Sequence, residues 1–257
     1  MGIKPKNDKW NASLYDEKHG FVSQYGENLV QILAPKQGEN ILDIGCGTGD
    51  IAKIIHDHGA KVQGIDASEN MIAQARDKYP DISFDVMDAM KLNYQAKFDA
   101  VFSNATLHWI KQAKSVLQGV YESLKTDGRF VAEFGGKGNV QMITNEIRKQ
   151  AYELGLPYQE ERFPWYFPSI AAYTSLMEEV GFTVTFAHLY DRPTRLERAD
   201  GLKNWIRMFG HAMFGDIAAE KLELITTNVE NSLRETMFQE DAWIADYKRL
   251  RVMAVKA

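Results

Sequence analysis

Residues 41–50 read ILDIGCGTGD, an apolar run that ends at Asp43 and continues into Gly45, Gly47 and Gly49. Glycine takes positive φ and carries no Cβ, so the backbone can turn sharply here and a flat ligand can lie against it. Cys46 sits inside that turn, where a small side chain is a simpler requirement than a nucleophile. Asp43 narrows the ligand. A carboxylate two residues before the first glycine repels a pyrophosphate and attracts a cation bearing an amino group. Together with a GxGxG spacing in place of GxGxxG, this argues against a nicotinamide dinucleotide.

Three later segments carry chemistry-bearing residues. Asp66 closes VQGID, seventeen residues after Gly49, where a carboxylate can accept both hydroxyls of an adenosine ribose; the competing reading is a helix-capping acid. Asp88 and Ala89 follow a third strand pattern and are placed to meet an adenine amine, with a plain turn acid as the rival. FDAVFSNATLHWI then puts Asn104, His108 and Trp109 at the end of a fourth strand. An imidazole with an ordinary pKa of about 6.5 can take a proton or orient a substrate, although a packed structural histidine competes. Trp109 reads as a pocket wall. His56 and His58 are two apart on a helix and point to different sides, so no metal site is expected there. A cation with an amino group, a ribose and an adenine describes S-adenosylmethionine.

The elements that position these residues alternate. Strand patterns at 40–45, 61–66, 82–86, 98–103 and 128–134 are separated by helical ones, the signature of βαβ units and a parallel sheet. Ser68 is placed to cap the second helix, which stops at Pro80; a third covers 111–125. Beyond lie a helix over 139–154, a proline-broken aromatic loop FPWYFPS at 163–169, a helix over 169–180 and strands at 182–190 and 245–256. The roughly fifty residues before the last strand look helical by the same periodicity. Leu222, Ile225, Val229 and Leu233 recur at helical spacing, so this piece is amphipathic and needs a partner surface, as a lid over the sheet would.

The chain has 257 residues, 45% hydrophobic and 25% charged, with a net charge of −5. That is ordinary globular composition, and it favours neither nucleic acid nor another polyanion as partner. No apolar run reaches the roughly 18 residues of a membrane span. MGIKPKND has no apolar signal core, and the single cysteine suits a reducing compartment, so a cytoplasmic setting without stable membrane association is expected. Arg192, Arg195, Arg198, Lys203 and Arg207 form a local basic cluster, either a solvated face or an anion site.

ILDIGCGTGD, GIDASENMI, DVMDAMKL and FDAVFSNATLHWI occur in the order found in class I S-adenosylmethionine-dependent methyltransferases, which this chain resembles over about residues 38–135. The resemblance implies a Rossmann-like, doubly wound seven-stranded α/β sheet with an antiparallel last strand. It implies a cofactor site lined by Asp43, Gly45, Cys46, Gly47, Asp66, Ala67, Met71, Asp88, Ala89 and Asn104. WYFPSIAAYTSLMEEVGF, DRPTRL, NWIRMF and YKRLRVMAVK are similar to the trans-aconitate methyltransferase subgroup, as is the opening WNASLYDEKHGFV. That likeness implies O-methylation of a carboxylate on a small acid; a monomer is expected, and with no Cys or His cluster no metal site is. It divides the chain into an N-terminal cap (1–35), a core (36–196 and 240–257) and a helical lid inserted before the last strand (197–239). Tyr15 and His108 are the catalytic candidates. Trp10, His19, Trp109, Trp165, Tyr166 and Arg207 are the acceptor-binding ones, with Arg207 as anion clamp. Rival readings are an amine or phenol methyltransferase using His108 as base, a C-methyltransferase, a cyclopropane-forming lipid enzyme and a non-catalytic cofactor-binding protein.

Overall fold

The computed structural model describes residues 20–156, 160–196, 199–214 and 217–257. Trp10, Tyr15 and His19 lie outside the described residues. In chain order the elements are α1 (Gly20–Leu33), β1 (Asn40–Ile44), α2 (Asp50–Asp57), β2 (Lys61–Asp66), α3 (Glu69–Lys78), β3 (Ser83–Val86), β4 (Phe98–Asn104), α4 (Ala113–Ser123), β5 (Leu124–Gly135) and α5 (Gln141–Glu153). There follow α6 (Ile170–Val180), β6 (Phe182–Asp191), β7 (Thr194–Leu196), α7 (Gly201–Phe214), α8 (Ala219–Met237), β8 (Phe238–Gln239), β9 (Ala242–Ala245) and β10 (Lys248–Lys256). The described residues form two compact units: one from those up to Phe134, Pro168–His188 and Leu250–Ala257, the other from those within Gly135–Phe167 and Leu189–Arg249.

The first unit is organised by a seven-stranded sheet in the order β3-β2-β1-β4-β5-β10-β6. β1 pairs in parallel with β2 and β4, and the parallel ladder extends to β3 on one side and β5 on the other. Parallel neighbours need long crossovers, which α2, α3 and α4 supply. β10 runs against them. Thr185 Oγ1 donates to the Met253 carbonyl at 3.3 Å while the Arg192 amide donates to that of Tyr247 at 2.7 Å, so the two strands count in opposite senses. The Rossmann-like sheet with an antiparallel last strand is therefore present as expected. β1 and β4 are buried almost throughout because both faces are covered, which explains their unbroken apolar runs. Leu29, Leu33, Ile41, Ile55, Ile72 and Phe102 belong to one continuous core cluster.

Some boundaries differ from the sequence expectation for identifiable reasons. β5 begins at Leu124, not 128, because its register shifts between the Phe98 and Ala100 partners, and Asp127 with φ of 62° takes up the extra length. The Asp127-Gly128 pair is thus an irregularity within a strand and not its boundary.

In the second unit α8 buries Leu222, Ile225, Val229 and Leu233 and packs on α5 and α7, so the amphipathic stripe has its partner surface there. A small antiparallel sheet, β7-β9-β8, replaces part of the stretch read as helical. Its tight turn uses Glu240 and Asp241 at φ of 46° and 60°, a mirror-image hairpin turn without the usual Asn-Gly signal. The strand expected over 245–256 breaks at Asp246 and Tyr247. The Asp246 carboxylate accepts from the Met142 amide at 2.8 Å and its carbonyl from that of Val140 at 2.9 Å, diverting the chain from the ladder to the start of α5. Among the described residues no helix is long and apolar enough to cross a membrane.

Candidate active site

The carboxyl ends of β1, β2, β3 and β4 converge in the first unit, and each contributes a sequence-selected residue. Gly45, Gly47 and Gly49 all take positive φ, at 72°, 54° and 88°. At Gly45 a Cβ would collide with the Thr106 side chain, so two loops meet there too closely for any side chain. Thr106 Oγ1 donates to the carbonyls of Gly45 and Asn104, at 3.3 and 3.1 Å, tying the glycine turn to the end of β4. Ser103 does the same one residue earlier, donating to the Ile44 carbonyl at 2.9 Å. Sequence reasoning passed over Thr106 and Ser103; the signal was a pair of short hydroxyl side chains flanking Asn104.

Asp43 is buried, with 2% of its surface exposed. Among the described residues its Oδ2 has no hydrogen-bond partner. Burial, reinforced by the charge of Asp66, pushes its carboxyl up to about 7. An acid held in that state beside a glycine turn fits a ligand that brings its own cationic donor, as the amino group of S-adenosylmethionine would. Asp66 is part-buried; its Oδ2 accepts from the Gly47 amide at 3.1 Å and its Oδ1 from that of Ser68 at 2.8 Å. It therefore pins the glycine turn, and each oxygen keeps lone-pair capacity for a ribose hydroxyl. Cys46 is a neutral thiol, its pKa driven well up by burial and by the charges of Asp43 and Asp66, so nucleophilic chemistry is closed to it at neutral pH.

Ser68 caps α3 by accepting from the Met71 amide at 3.2 Å; Met71 is buried and Ala67 is exposed. Asp88 Oδ1 accepts from the Met90 amide at 2.9 Å and opens a short 3-10 turn whose first residue, Ala89, is buried. A second 3-10 turn, Leu107–Trp109, follows β4; Asn104 and His108 are 9% and 7% exposed, and the His108 and Trp109 rings lie 5.5 Å apart. Gly26 of α1 faces this group, where a Cβ would come within 3.2 Å of Asn104 Nδ2.

The second unit holds the remaining candidates. Trp165 is buried in an aromatic cluster, stacked on Phe167 at 5.6 Å with Trp205 and Phe209 at 5.9 and 5.7 Å. Tyr166 is half-buried and stays a neutral phenol, its pKa raised by burial. Arg207 does not stand as an open clamp: it is half-exposed and pairs with Glu223 of α8 at 2.8 Å, bracing α7 against α8. Lys203 pairs likewise with Glu230 at 3.3 Å. Two of the five bases, Lys203 and Arg207, thus lie on one helix face in ion pairs; Arg195 is exposed on β7 and donates to the Glu240 carbonyl at 3.1 Å, Arg192 is buried, and Arg198 lies outside the described residues. Among the described residues no group of three or more His, Cys, Asp or Glu could hold a metal.

A seven-stranded sheet of this order, with a glycine turn after β1, acids at the ends of β1 and β2 and another after β3, is the frame of a nucleoside-binding α/β protein. The comparisons carry that to a family. Residues 41–128 match the family described as "Methyltransferase domain". The chain is 34% identical to an uncharacterized methyltransferase of Schizosaccharomyces pombe, over 97% of this chain and 98% of that one. It is 26% identical to a trans-aconitate 2-methyltransferase of Escherichia coli O157:H7, over 88% and 89% of the two chains. Its fold is similar to the YcgJ protein of Bacillus subtilis, with a TM-score of 0.65 at 16% identity and coverage of 93% and 99%. The chain belongs to the class I S-adenosylmethionine-dependent methyltransferases, and its cofactor is S-adenosylmethionine.

Proposed function

We propose that the protein methylates a carboxylate oxygen of a small acid, with Asp43, Gly45, Cys46, Gly47, Asp66, Ala67, Met71, Asp88, Ala89 and Asn104 forming its cofactor site. The buried, unmatched Asp43 Oδ2 carries the assignment of the site. The cofactor supplies an electrophilic methyl on a positively charged sulfur. Asp43 would meet its amino group, Asp66 its ribose, and Asp88 its adenine. The likeness to the trans-aconitate 2-methyltransferase over most of both chains supports an acidic acceptor.

A carboxylate is already nucleophilic at neutral pH, so the protein's work is to align it and exclude water. Good alignment alone can lower a barrier by about 7–11 kcal/mol. In this reading His108 orients the acceptor and Trp109 walls it, with Trp165 and Tyr166 as further acceptor-binding residues. Tyr15 and His108 stay the catalytic candidates, and Trp10 and His19 further acceptor candidates, from the family likeness. The burial of His108 beside Trp109 also favours one second reading, a base for an amine or phenol acceptor. The single cysteine supports a cytoplasmic setting, and a monomer with a 197–239 lid remains our proposal for its organisation.

The test is a methyl-transfer screen over small acids, amines, phenols and lipids, read as release of S-adenosylhomocysteine. Turnover confined to acids is expected. Turnover of amines or phenols with acids inert would replace carboxylate methylation by the base-assisted reading.

A further inference from the structure

Thr106 opens the Leu107–Trp109 turn from its N-cap position, where a threonine oxygen ordinarily accepts from the amides of the turn it begins. Among the described residues it makes no such bond. Its single hydroxyl hydrogen is shared between the Gly45 and Asn104 carbonyls, at 3.3 and 3.1 Å, and its side chain fills the space that a Cβ on Gly45 would need. The glycine turn is held on its other side too, because the Gly45 and Cys46 amides both donate to the Ile65 carbonyl, at 2.7 and 3.0 Å. Just before Thr106 stands Ala105, at a φ of 56° that residues with a side chain rarely adopt, its amide tied to the Glu133 carbonyl at 2.8 Å. Strained residues of this kind persist at ligand clamps and switch segments.

A close-packed contact passes a displacement on because neither side can give. A ligand seated against the glycine turn is therefore felt at Thr106, and from there at Trp109, whose amide donates to the Thr106 carbonyl at 2.9 Å. We propose that the Thr106 hydroxyl is a positioning group that carries cofactor occupancy of the glycine turn to the Leu107–Trp109 turn, fixing the His108 and Trp109 rings while the cofactor is bound. With one hydrogen and two acceptors the hydroxyl has two settings, and the cofactor selects between them by moving Gly45. The consequence for the acceptor, which is then held best when the methyl donor is in place, rests on the reading of His108 and Trp109 as residues that meet it.

The experiment follows amide hydrogen exchange in the whole chain with and without saturating S-adenosylhomocysteine. In the wild type the ligand should slow exchange at the Trp109 amide about tenfold beyond its effect at Lys61, whose amide binds the Glu39 carbonyl at the amino end of β2. Thr106→Val keeps the branched shape against Gly45 but has no hydroxyl, so it should bind S-adenosylhomocysteine nearly as the wild type does and lose the extra protection at Trp109. Thr106→Ser keeps the hydroxyl and should keep the protection, a rescue that a merely structural role would not give. No extra protection in the wild type, protection retained in a folded Thr106→Val, or protection lost in a Thr106→Ser that binds the ligand would each overturn the proposal. The wild-type measurement decides even where a variant does not fold. The acceptor reading fails separately. If Thr106→Val loses the protection yet leaves unchanged the Michaelis constant of every acceptor the methyl-transfer screen returns, His108 and Trp109 leave the acceptor site and the coupling stands.

Discussion

Asp43 couples the cofactor site to pH. With its pKa raised from 3.8 to about 7, folded and unfolded chains are both protonated below the lower value and the group costs nothing there. As pH rises the unfolded chain ionises first, so this contribution to stability is lost progressively up to about pH 7. An amino-bearing cation prefers the ionised form. S-adenosylhomocysteine affinity should therefore climb as pH rises through 6 and level above about 7, with proton release at pH 6 detected by calorimetry in buffers of different ionisation heat. Asp43→Asn should flatten that profile and stabilise the ligand-free protein at pH 8; an unchanged profile would remove Asp43 from the site. Asp66→Ala should weaken the same ligand by about 1–3 kcal/mol, the usual loss of a charged hydrogen-bond partner. Because Asp66 also holds the Gly47 amide, the variant should loosen the turn, seen as faster amide exchange at Gly47.

At the scale of elements the glycine turn and β4 stand or fall together. Gly45→Ala forces a Cβ onto Thr106 at a backbone φ of 72°, so it should cost about 1–2 kcal/mol from conformation alone, plus the displacement of Thr106. Thermal denaturation of Gly45→Ala against Gly47→Ala separates the terms, since a Cβ on Gly47 meets nothing within 4 Å although its φ is also positive. Equal losses would mean that contact with Thr106 is immaterial. In the second unit Ile225 is fully buried on α8, and Ile225→Ala should destabilise by about 2–5 kcal/mol by the cavity it leaves. A loss well below that range would mean that α8 is loosely packed.

At the scale of the whole molecule, ligand binding and folding are linked. Saturation with S-adenosylhomocysteine at a hundred times its dissociation constant should stabilise the chain by about 2.7 kcal/mol and raise its melting temperature, while NAD at the same concentration should not. A rise with NAD alone would contradict the reading of the glycine turn.

The residues whose chemistry is local were legible without coordinates. Glycines 45, 47 and 49, the acids closing β1 and β2, the Ser68 cap and the α8 stripe announce themselves because strand burial, positive φ and helical period leave marks on neighbouring residues. What escaped depends on partners far away in sequence. Arg207 and Arg192 sit in one basic cluster, yet Glu223 holds the first at the surface while the pairing of Arg192 with Tyr247 brings the second inside. Thr106 shapes the glycine turn only because β1 and β4 are neighbours in the sheet. The bulge in β5, the Glu240-Asp241 turn and the break at Asp246 likewise follow from strand register and from the start of α5, which no local pattern encodes. The sequence by itself thus determined the fold class, the cofactor and most of the cofactor-site candidates. Only the tertiary structure decided which charges are buried and which are spent on one another, because burial and pairing are properties of contacts between distant segments.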